Sequence, residues 1–157
     1  MRFSSLVLAI KNLLRNLFGF NKVQQANHQA IWQESWSEFL NSHVSFYRRL
    51  SAADKICFEQ RCILFLQTTQ VEGSQDVDIT DEDKLLVAAS AIIPVWGFPE
   101  WHYLNIKTVV LLPGRFNEHY QYGMDDSRIS GMVGTGVMAG KMALSKPDLH
   151  LGFNNDV

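Results

Sequence analysis

Residues 80–94 read TDEDKLLVAASAIIP and carry the clearest helix signal in the chain. Thr80 stands three residues before Asp83, so its hydroxyl can accept a hydrogen bond from one of the free N–H groups of the first turn. The acidic run that begins at Asp81 lies at the positive end of the helix dipole, and we interpret it as solvated charge. Small residues follow, which is typical of a central helix that neighbours approach closely, and Pro94 is expected to end it.

A second helix with the same start signal precedes this one. Ser51 and Asp54 repeat the spacing, and the pattern predicts a helix from residue 51 to about residue 69. Its predicted buried stripe consists of Ile56, Ile63 and Leu66, flanked by Phe58, Cys62 and Phe65. A shorter amphipathic helix or arm is indicated upstream by the apolar residues Trp32, Trp36, Phe39 and Leu40.

Strand signals begin after Trp96. Residues 103–112 are rich in β-branched and aromatic side chains and are followed by a Pro-Gly pair, which predicts a strand. Residues 71–79 indicate a turn or a short strand pair, and residues 131–140 and 142–153 indicate further strands joined by glycine turns. Helices first and strands later indicate the α+β class, with N-terminal helices followed by a small, mostly antiparallel sheet.

The first 20 residues form a separate segment. Their apolar residues recur at helical spacing and predict an amphipathic helix; they are Leu6, Ile10, Leu13, Leu14, Leu17 and Phe18. The longest apolar run, residues 6–10, is far shorter than the roughly 20 residues needed to cross a bilayer. A peripheral membrane contact, a partner's groove or the protein's own surface would each suit such a helix. We expect a linker over residues 21–30 and the domain body over residues 31–157.

Charge and cysteine content narrow the class of protein. Of 14 basic residues, four precede the first acidic residue, Glu34, so the rest carries 10 basic and 16 acidic residues. A mildly acidic body argues against nucleic-acid binding, which needs clustered lysines and arginines. Cys57 and Cys62 lie on one predicted helix and point to different faces, so they cannot easily form a disulfide. Two free thiols are typical of a reducing compartment, and we expect a cytoplasmic protein.

No complete catalytic or metal-binding motif is present. A His-Glu-x-x-His helix is absent, and the histidines stand too far apart for a local ligand pair; they are His28, His43, His102, His119 and His150. Residues 134–139 match the letters of a dinucleotide-binding loop, but the pair Lys146-Pro147 is expected to prevent the helix that such a loop needs. We therefore predict no catalytic and no metal-ligating residue in this chain.

Several segments resemble one enzyme family in the same order. Residues 80–98 (TDEDKLLVAASAIIPVWGF), 101–105 (WHYLN) and 109–114 (VVLLPG) resemble the zinc-dependent peptidases related to Mlc titration factor A. Residues 51–66 and the stretch 131–153, with GMVG and KMALSKP, are similar to further parts of that family. The resemblance covers roughly residues 32–156.

The resemblance implies an incomplete zincin-like metallopeptidase domain. In the family, zinc is held by two histidines of a His-Glu-x-x-His helix and a more distant acidic residue, and the glutamate of that helix polarises the attacking water. None of these positions occurs here, and the helix comes shortly after the segment that ends at Val157. The resemblance thus implies the N-terminal portion of a peptidase, with zinc expected for the full-length relative, none bound by this chain, and no activity for this portion alone.

One contribution to substrate binding is expected in this portion. Zinc peptidases often hold the substrate as an added strand, and the alternation of Met142, Ala143, Leu144 and Ser145 makes them our candidate for the substrate-rim strand. An ordinary internal strand would explain the same pattern. The expected partners are a peptide or protein substrate, or, if the chain is a non-catalytic binding module, a protein such as a transcriptional repressor.

Overall fold

The computed structural model describes residues 32–74 and 77–154. The predicted N-terminal helix and the predicted linker lie outside the described residues. Contacts gather Glu34–Val157 into one compact unit. None of the helices in the described ranges has the length and the apolar character needed to cross a membrane.

Five α-helices and four strands make up this unit. The helices are α1 (Glu34–His43), α2 (Ser45–Arg48), α3 (Ala52–Thr68), α4 (Asp81–Ile92) and α5 (Lys146–Asn154). The strands are β1 (Gln70–Gly73), β2 (Thr108–Leu112), β3 (Gly131–Val133) and β4 (Lys141–Ser145). Short 3₁₀ turns occupy Ile93–Val95, directly after α4, and Gly136–Met138, between β3 and β4.

Helices α3 and α4 begin as their sequences predict. The Asp54 N–H donates to Ser51 Oγ at 3.2 Å, and the Asp83 N–H donates to Thr80 Oγ1 at 3.3 Å. The Asp83 carboxylate also accepts from the Thr80 N–H at 2.8 Å, which completes a reciprocal capping box. Both predicted helix starts are confirmed, and so is a short helix around Trp36 in α1.

The strand predicted over residues 142–153 is wrong beyond Ser145. β4 ends there and α5 follows at once, with Pro147 in its first turn. Pro is tolerated in that turn because the first N–H groups of a helix have no intrahelical partner. Ser145 and Asp148 repeat the Ser/Thr-x-x-Asp spacing of the two other helices, and Ser145 Oγ donates to Asp148 Oδ2 at 2.6 Å.

The sheet has the order β1-β2-β4-β3. The α+β class is confirmed, but the expectation of a mostly antiparallel sheet is wrong, since β1–β2 and β2–β4 are parallel and only β3–β4 is antiparallel. Parallel neighbours need long crossovers, and residues 74–107 and 113–140 provide them. The strand predicted over residues 103–112 forms only from Thr108, and β1 pairs with β2 rather than within residues 71–79. The predicted glycine turn between β3 and β4 is confirmed, with φ of 58° at Gly136 and 81° at Gly140.

The two faces of the sheet carry different cores. Val109 and Leu111 of β2 are buried on the face that α3 and α4 approach. On the other face Phe116, from the loop after β2, packs with Leu112 and Ala143. Three half-buried residues of the same cluster surround it, Tyr120, Ile129 and Met132. The loop that follows β2 therefore closes the side of the sheet that carries no helix.

We predict that Phe116→Ala lowers the free energy of unfolding by about 3 kcal/mol, because it empties a fully buried aromatic site. Phe98→Ala is the matched control, since Phe98 is 65% exposed and its loss should change the free energy of unfolding by less than about 0.5 kcal/mol. Urea unfolding followed by tryptophan fluorescence measures both. Equal effects of the two substitutions would contradict a core at Phe116.

Candidate functional site

A cleft of about 480 Å³ lies between the helix-facing side of the sheet and the helices. Its walls are mostly apolar. The sheet contributes Val109, Met142 and Leu144, and the helices contribute Phe65, Val87 and Leu149. An apolar cleft with a few polar groups is the usual form of a ligand site, which makes this cleft the candidate functional site.

The predicted substrate-rim segment forms β4 in the interior of the sheet. Met142, Leu144 and the buried Ser145 line the cleft, whereas Ala143 belongs to the core on the opposite face. β4 is paired with β2 on one side and with β3 on the other. A peptide can be added as a strand only at an open edge, so strand addition at these four residues does not fit this sheet.

The open edge next to the cleft belongs to β3. The Ser145 N–H donates to the Ser130 carbonyl and the Gly134 N–H donates to the Lys141 carbonyl, each at 2.8 Å. In an antiparallel ladder such bonded residues alternate with residues whose backbone groups point away. Gly131 and Val133 therefore direct their N–H and C=O groups to the open edge. Both residues also line the cleft.

A buried carboxylate joins α4 to α5. Asp83 is 0% exposed, and its two oxygens contact Lys146 Nζ at 2.9 Å and His150 Nε2 at 2.7 Å. The expectation of solvated charge holds for Asp81 and Glu82, which are exposed, but it is wrong for Asp83. The reason is that the third helical residue turns its side chain back to the cap, where α5 packs against it.

The pKa of Asp83 reflects two opposing effects. Burial would raise this pKa, but the hydrogen bond from the Thr80 backbone, together with those from His150 and Lys146, outweighs burial and lowers it from 3.8 to about 2. The folded protein therefore favours the charged form of Asp83.

A second aspartate holds the start of α5 beside the cleft. Arg115 donates to both oxygens of Asp148, with Nη2 at 2.8 Å from Oδ1 and Nε at 3.1 Å from each oxygen. These bonds, with the one from Ser145, lower the pKa of Asp148 to about 2. Asp148 also lines the cleft, so its charge is one of the few polar features there.

A second buried acid, Glu59, lies apart from the cleft. Glu59 of α3 accepts hydrogen bonds from Ser37 Oγ at 2.9 Å and from the Tyr47 hydroxyl, and so connects α1 and α2 to α3. Burial, followed by the bond with Glu59, raises the pKa of Tyr47. Sequence reasoning missed Glu59, although one acidic residue within the predicted apolar stripe was a signal. None of these residues lines the cleft, and we assign them a structural role.

The two thiols also differ. Both cysteines are free, Cys57 exposed and Cys62 buried. Burial, and then the nearby charge of Glu59, raises the pKa of the Cys62 thiol. Cys62 is thus an inert core residue.

The described histidines do not gather into a metal site. His150 pairs with Asp83, His43 stacks on Phe39 with ring centroids 4.4 Å apart, and His102 and His119 are exposed. Within residues 32–74 and 77–154 no group of three His, Cys, Asp or Glu side chains could hold a metal ion. A zinc site needs at least three such ligands, so the described residues do not fit zinc.

Comparison with known proteins gives a family match over most of the chain. The family model described as glucose-regulated metallopeptidase M90 matches residues 20–157. Among curated proteins, the uncharacterized protein slr2042 of Synechocystis sp. is 31% identical over 81 residues. That match covers 52% of this chain and 30% of the relative, so the matched part spans less than a third of the relative's length. No solved structure matches.

We predict that Asp83→Asn lowers the free energy of unfolding by about 2 kcal/mol at pH 7, because a pKa lowered from 3.8 to about 2 stabilises the folded state while the group is charged. This contribution is present above pH 3.8 and is lost as the pH falls towards 2. The difference between the two proteins should therefore shrink between pH 4 and pH 2, as measured by urea unfolding. Asp81→Asn, at an exposed site on the same turn, is the control; a difference that persists at pH 2 would contradict the assignment.

Proposed function

The chain belongs to the M90 family of glucose-regulated metallopeptidases, and from this membership we propose that it is the N-terminal portion of a zinc-dependent peptidase. The observation that supports this role is the open edge of β3 beside the cleft. Gly131 and Val133 offer N–H and C=O groups there, which is the arrangement that an extended peptide needs to pair with a sheet. The proposed substrate is therefore a peptide or protein segment in extended conformation.

In this proposal β3, and not β4, is the strand that pairs with the substrate. β4 supports β3 through three residue pairs and contributes two apolar side chains, Met142 and Leu144, to the cleft. β3 provides the backbone groups that the substrate contacts. The alternation that pointed to residues 142–145 thus marks the strand next to the rim rather than the rim itself.

We propose that the zinc ligands lie in parts of the family that this chain does not span. The match covers only 30% of the curated relative, and the rest of such a protein has room for them. The described residues lack a ligand set for zinc, and so this portion alone should have no hydrolytic activity.

We propose that the helix that carries the paired histidines of the family packs into the apolar cleft. Leu149 of α5 lines the cleft. An open apolar cleft of about 480 Å³ is a surface that tends to be covered in a stable protein. A helix there would lie against the same sheet whose β3 edge holds the substrate.

For the protein that contains both this chain and the paired-histidine helix, we predict that Val133→Pro raises KM about tenfold and leaves kcat nearly unchanged. Pro removes an N–H that points to the open edge and spares the ladder with β4. Val133→Ala keeps that N–H and is the matched control, with KM within about twofold of the unchanged protein. Steady-state hydrolysis of a chromogenic peptide measures both, and unchanged KM in Val133→Pro would discard the proposed edge.

A second expected outcome concerns zinc itself. The 157-residue chain, purified alone, should hold far less than one zinc per chain by atomic absorption and should not hydrolyse peptides, because a catalytic zinc needs three protein ligands. The protein extended by the paired-histidine helix should hold one zinc and hydrolyse them. One equivalent of zinc with activity in the short chain would contradict the proposal.

A non-catalytic protein-binding module, for example one that contacts a transcriptional repressor, is the second candidate. The observation in its favour is an exposed apolar loop after α4, in which Phe98, Trp101 and Leu104 are 65%, 54% and 74% exposed. Exposed apolar clusters of this kind often mark protein contacts. Absence of zinc-dependent hydrolysis in the extended protein would favour this candidate over the peptidase.

The cellular location and a contact with a membrane stay predictions. A peripheral membrane contact is still proposed for residues 1–20, which lie outside the described part of the chain. A cytoplasmic location is still proposed from the two free thiols.

A further inference from the structure

Helix α5 is attached to the rest of the protein without a buried residue. All nine of its residues are described, and each is exposed or half-buried. A helix of this length is marginal in water by itself, because short helices gain too few backbone hydrogen bonds to offset the cost of nucleation. The contacts that dock α5 must therefore supply most of its stability.

Besides the half-buried Leu149 and Phe153, α5 makes polar contacts, and these converge on Asp83. Lys146 and His150, one turn apart on α5, reach the two oxygens of this one carboxylate at 2.9 and 2.7 Å. Lys146 Nζ also donates to the Asp78 carbonyl at 2.9 Å. Arg115 holds the same helix at Asp148, but Arg115 is more than half exposed, and exposed ion pairs contribute little.

Asp83 is itself held rigidly. Its carboxylate accepts from the Thr80 N–H at 2.8 Å and from Thr80 Oγ1 at 3.0 Å, so its position is fixed by the capping box of α4. α4 is the most deeply buried helix of the described chain, with Leu85, Leu86, Ala88 and Ala89 at most 1% exposed. The carboxylate thus anchors α5, which has no buried residue, to the rigid core helix α4.

We propose that Asp83 is a positioning residue that fixes α5 as a wall of the cleft, and that α5 opens as a unit when the charge of Asp83 is removed. Asp148 and Leu149 of α5 line the cleft, so opening of α5 widens the cleft at that end. α5 is then a strap whose closed state depends on one buried carboxylate. This inference stands on the contacts of α5 and does not depend on the peptidase assignment.

Amide hydrogen exchange of the 157-residue chain, read by mass spectrometry at pH 7, tests the proposal. Asp83→Asn removes the charge, while its side-chain oxygen can still accept from the Thr80 N–H. We expect exchange in residues 148–154 to accelerate at least about tenfold, to near the rate of a free peptide. Residues 85–92 should stay strongly protected, with an acceleration no larger than the roughly thirtyfold that a loss of about 2 kcal/mol in the free energy of unfolding allows. Asp81→Asn is the matched control, because Asp81 is an exposed acid on the same helix that pairs with Lys84 at 3.1 Å. It should leave both segments unchanged.

A double variant, Lys146→Gln with His150→Gln, leaves the Thr80–Asp83 capping box intact and should open α5 to the same extent. Adding Asp83→Asn to it should accelerate exchange in α5 by no more than about twofold further, because all three side chains act through one contact. If Asp83 acted only in its own capping box, the effects of Asp83→Asn and of the double variant on the exchange rate of α5 would instead add. This comparison separates positioning of α5 from general stabilisation of α4.

Three results would overturn the proposal. The first is exchange in α5 of Asp83→Asn within twofold of the unchanged chain, and the second is an α5 that already exchanges at the rate of a free peptide. The third is loss of protection in α4 together with α5 in the double variant. If Asp83→Asn unfolds the chain altogether, the double variant alone tests the proposal. Loss of protection in α5 with α4 still protected would support it, and unchanged protection in α5 would overturn it.

Discussion

Strand β2 is the element on which the described structure depends, because it is hydrogen-bonded on both sides and buried on both faces. β1 and β4 pair with it in parallel, so within the sheet this strand joins β1 to β4. Val109 and Leu111 face the helices, and Leu112 faces the loop that Phe116 anchors. Both cores, and one wall of the cleft, therefore rest on five consecutive residues, Thr108–Leu112.

Polar contacts position the surface helix that the apolar cores do not hold. The sheet and α4 bury apolar residues, whereas α5 has no buried residue and is positioned by polar contacts, chiefly those of Asp83, with a smaller contribution from Asp148. Both aspartates are the third residue of a capped helix, and both also bind a basic side chain from another element. One short motif thus caps a helix and docks a neighbour, which is an economical way to position a surface helix beside a cleft.

The sequence predicted the features of the fold that depend on residues close together in the chain. The spacings Ser51–Asp54 and Thr80–Asp83 predicted two helix starts, and the order of several segments predicted the family. The burial of Asp83 was missed, because its partner His150 lies 67 residues away and only the fold brings the two together. Helix α5 was missed for a different reason: Pro147 was interpreted as a breaker, although the same Ser-x-x-Asp spacing at Ser145 indicated a helix start. Strand directions and the edge position of β3 were beyond prediction, since three residues carry no periodicity and alternation is the same in parallel and antiparallel strands.

The shortness of β3 has a consequence for selectivity. Only Gly131 and Val133 turn backbone groups outward, so any chain that pairs there forms a handful of hydrogen bonds, and these are the same for every amino-acid sequence. So brief an edge is a poor template for sheet growth between copies of the protein. Discrimination among peptides would then have to come from their side chains, and the binding strength of the rim would depend on what those side chains meet rather than on the strand itself.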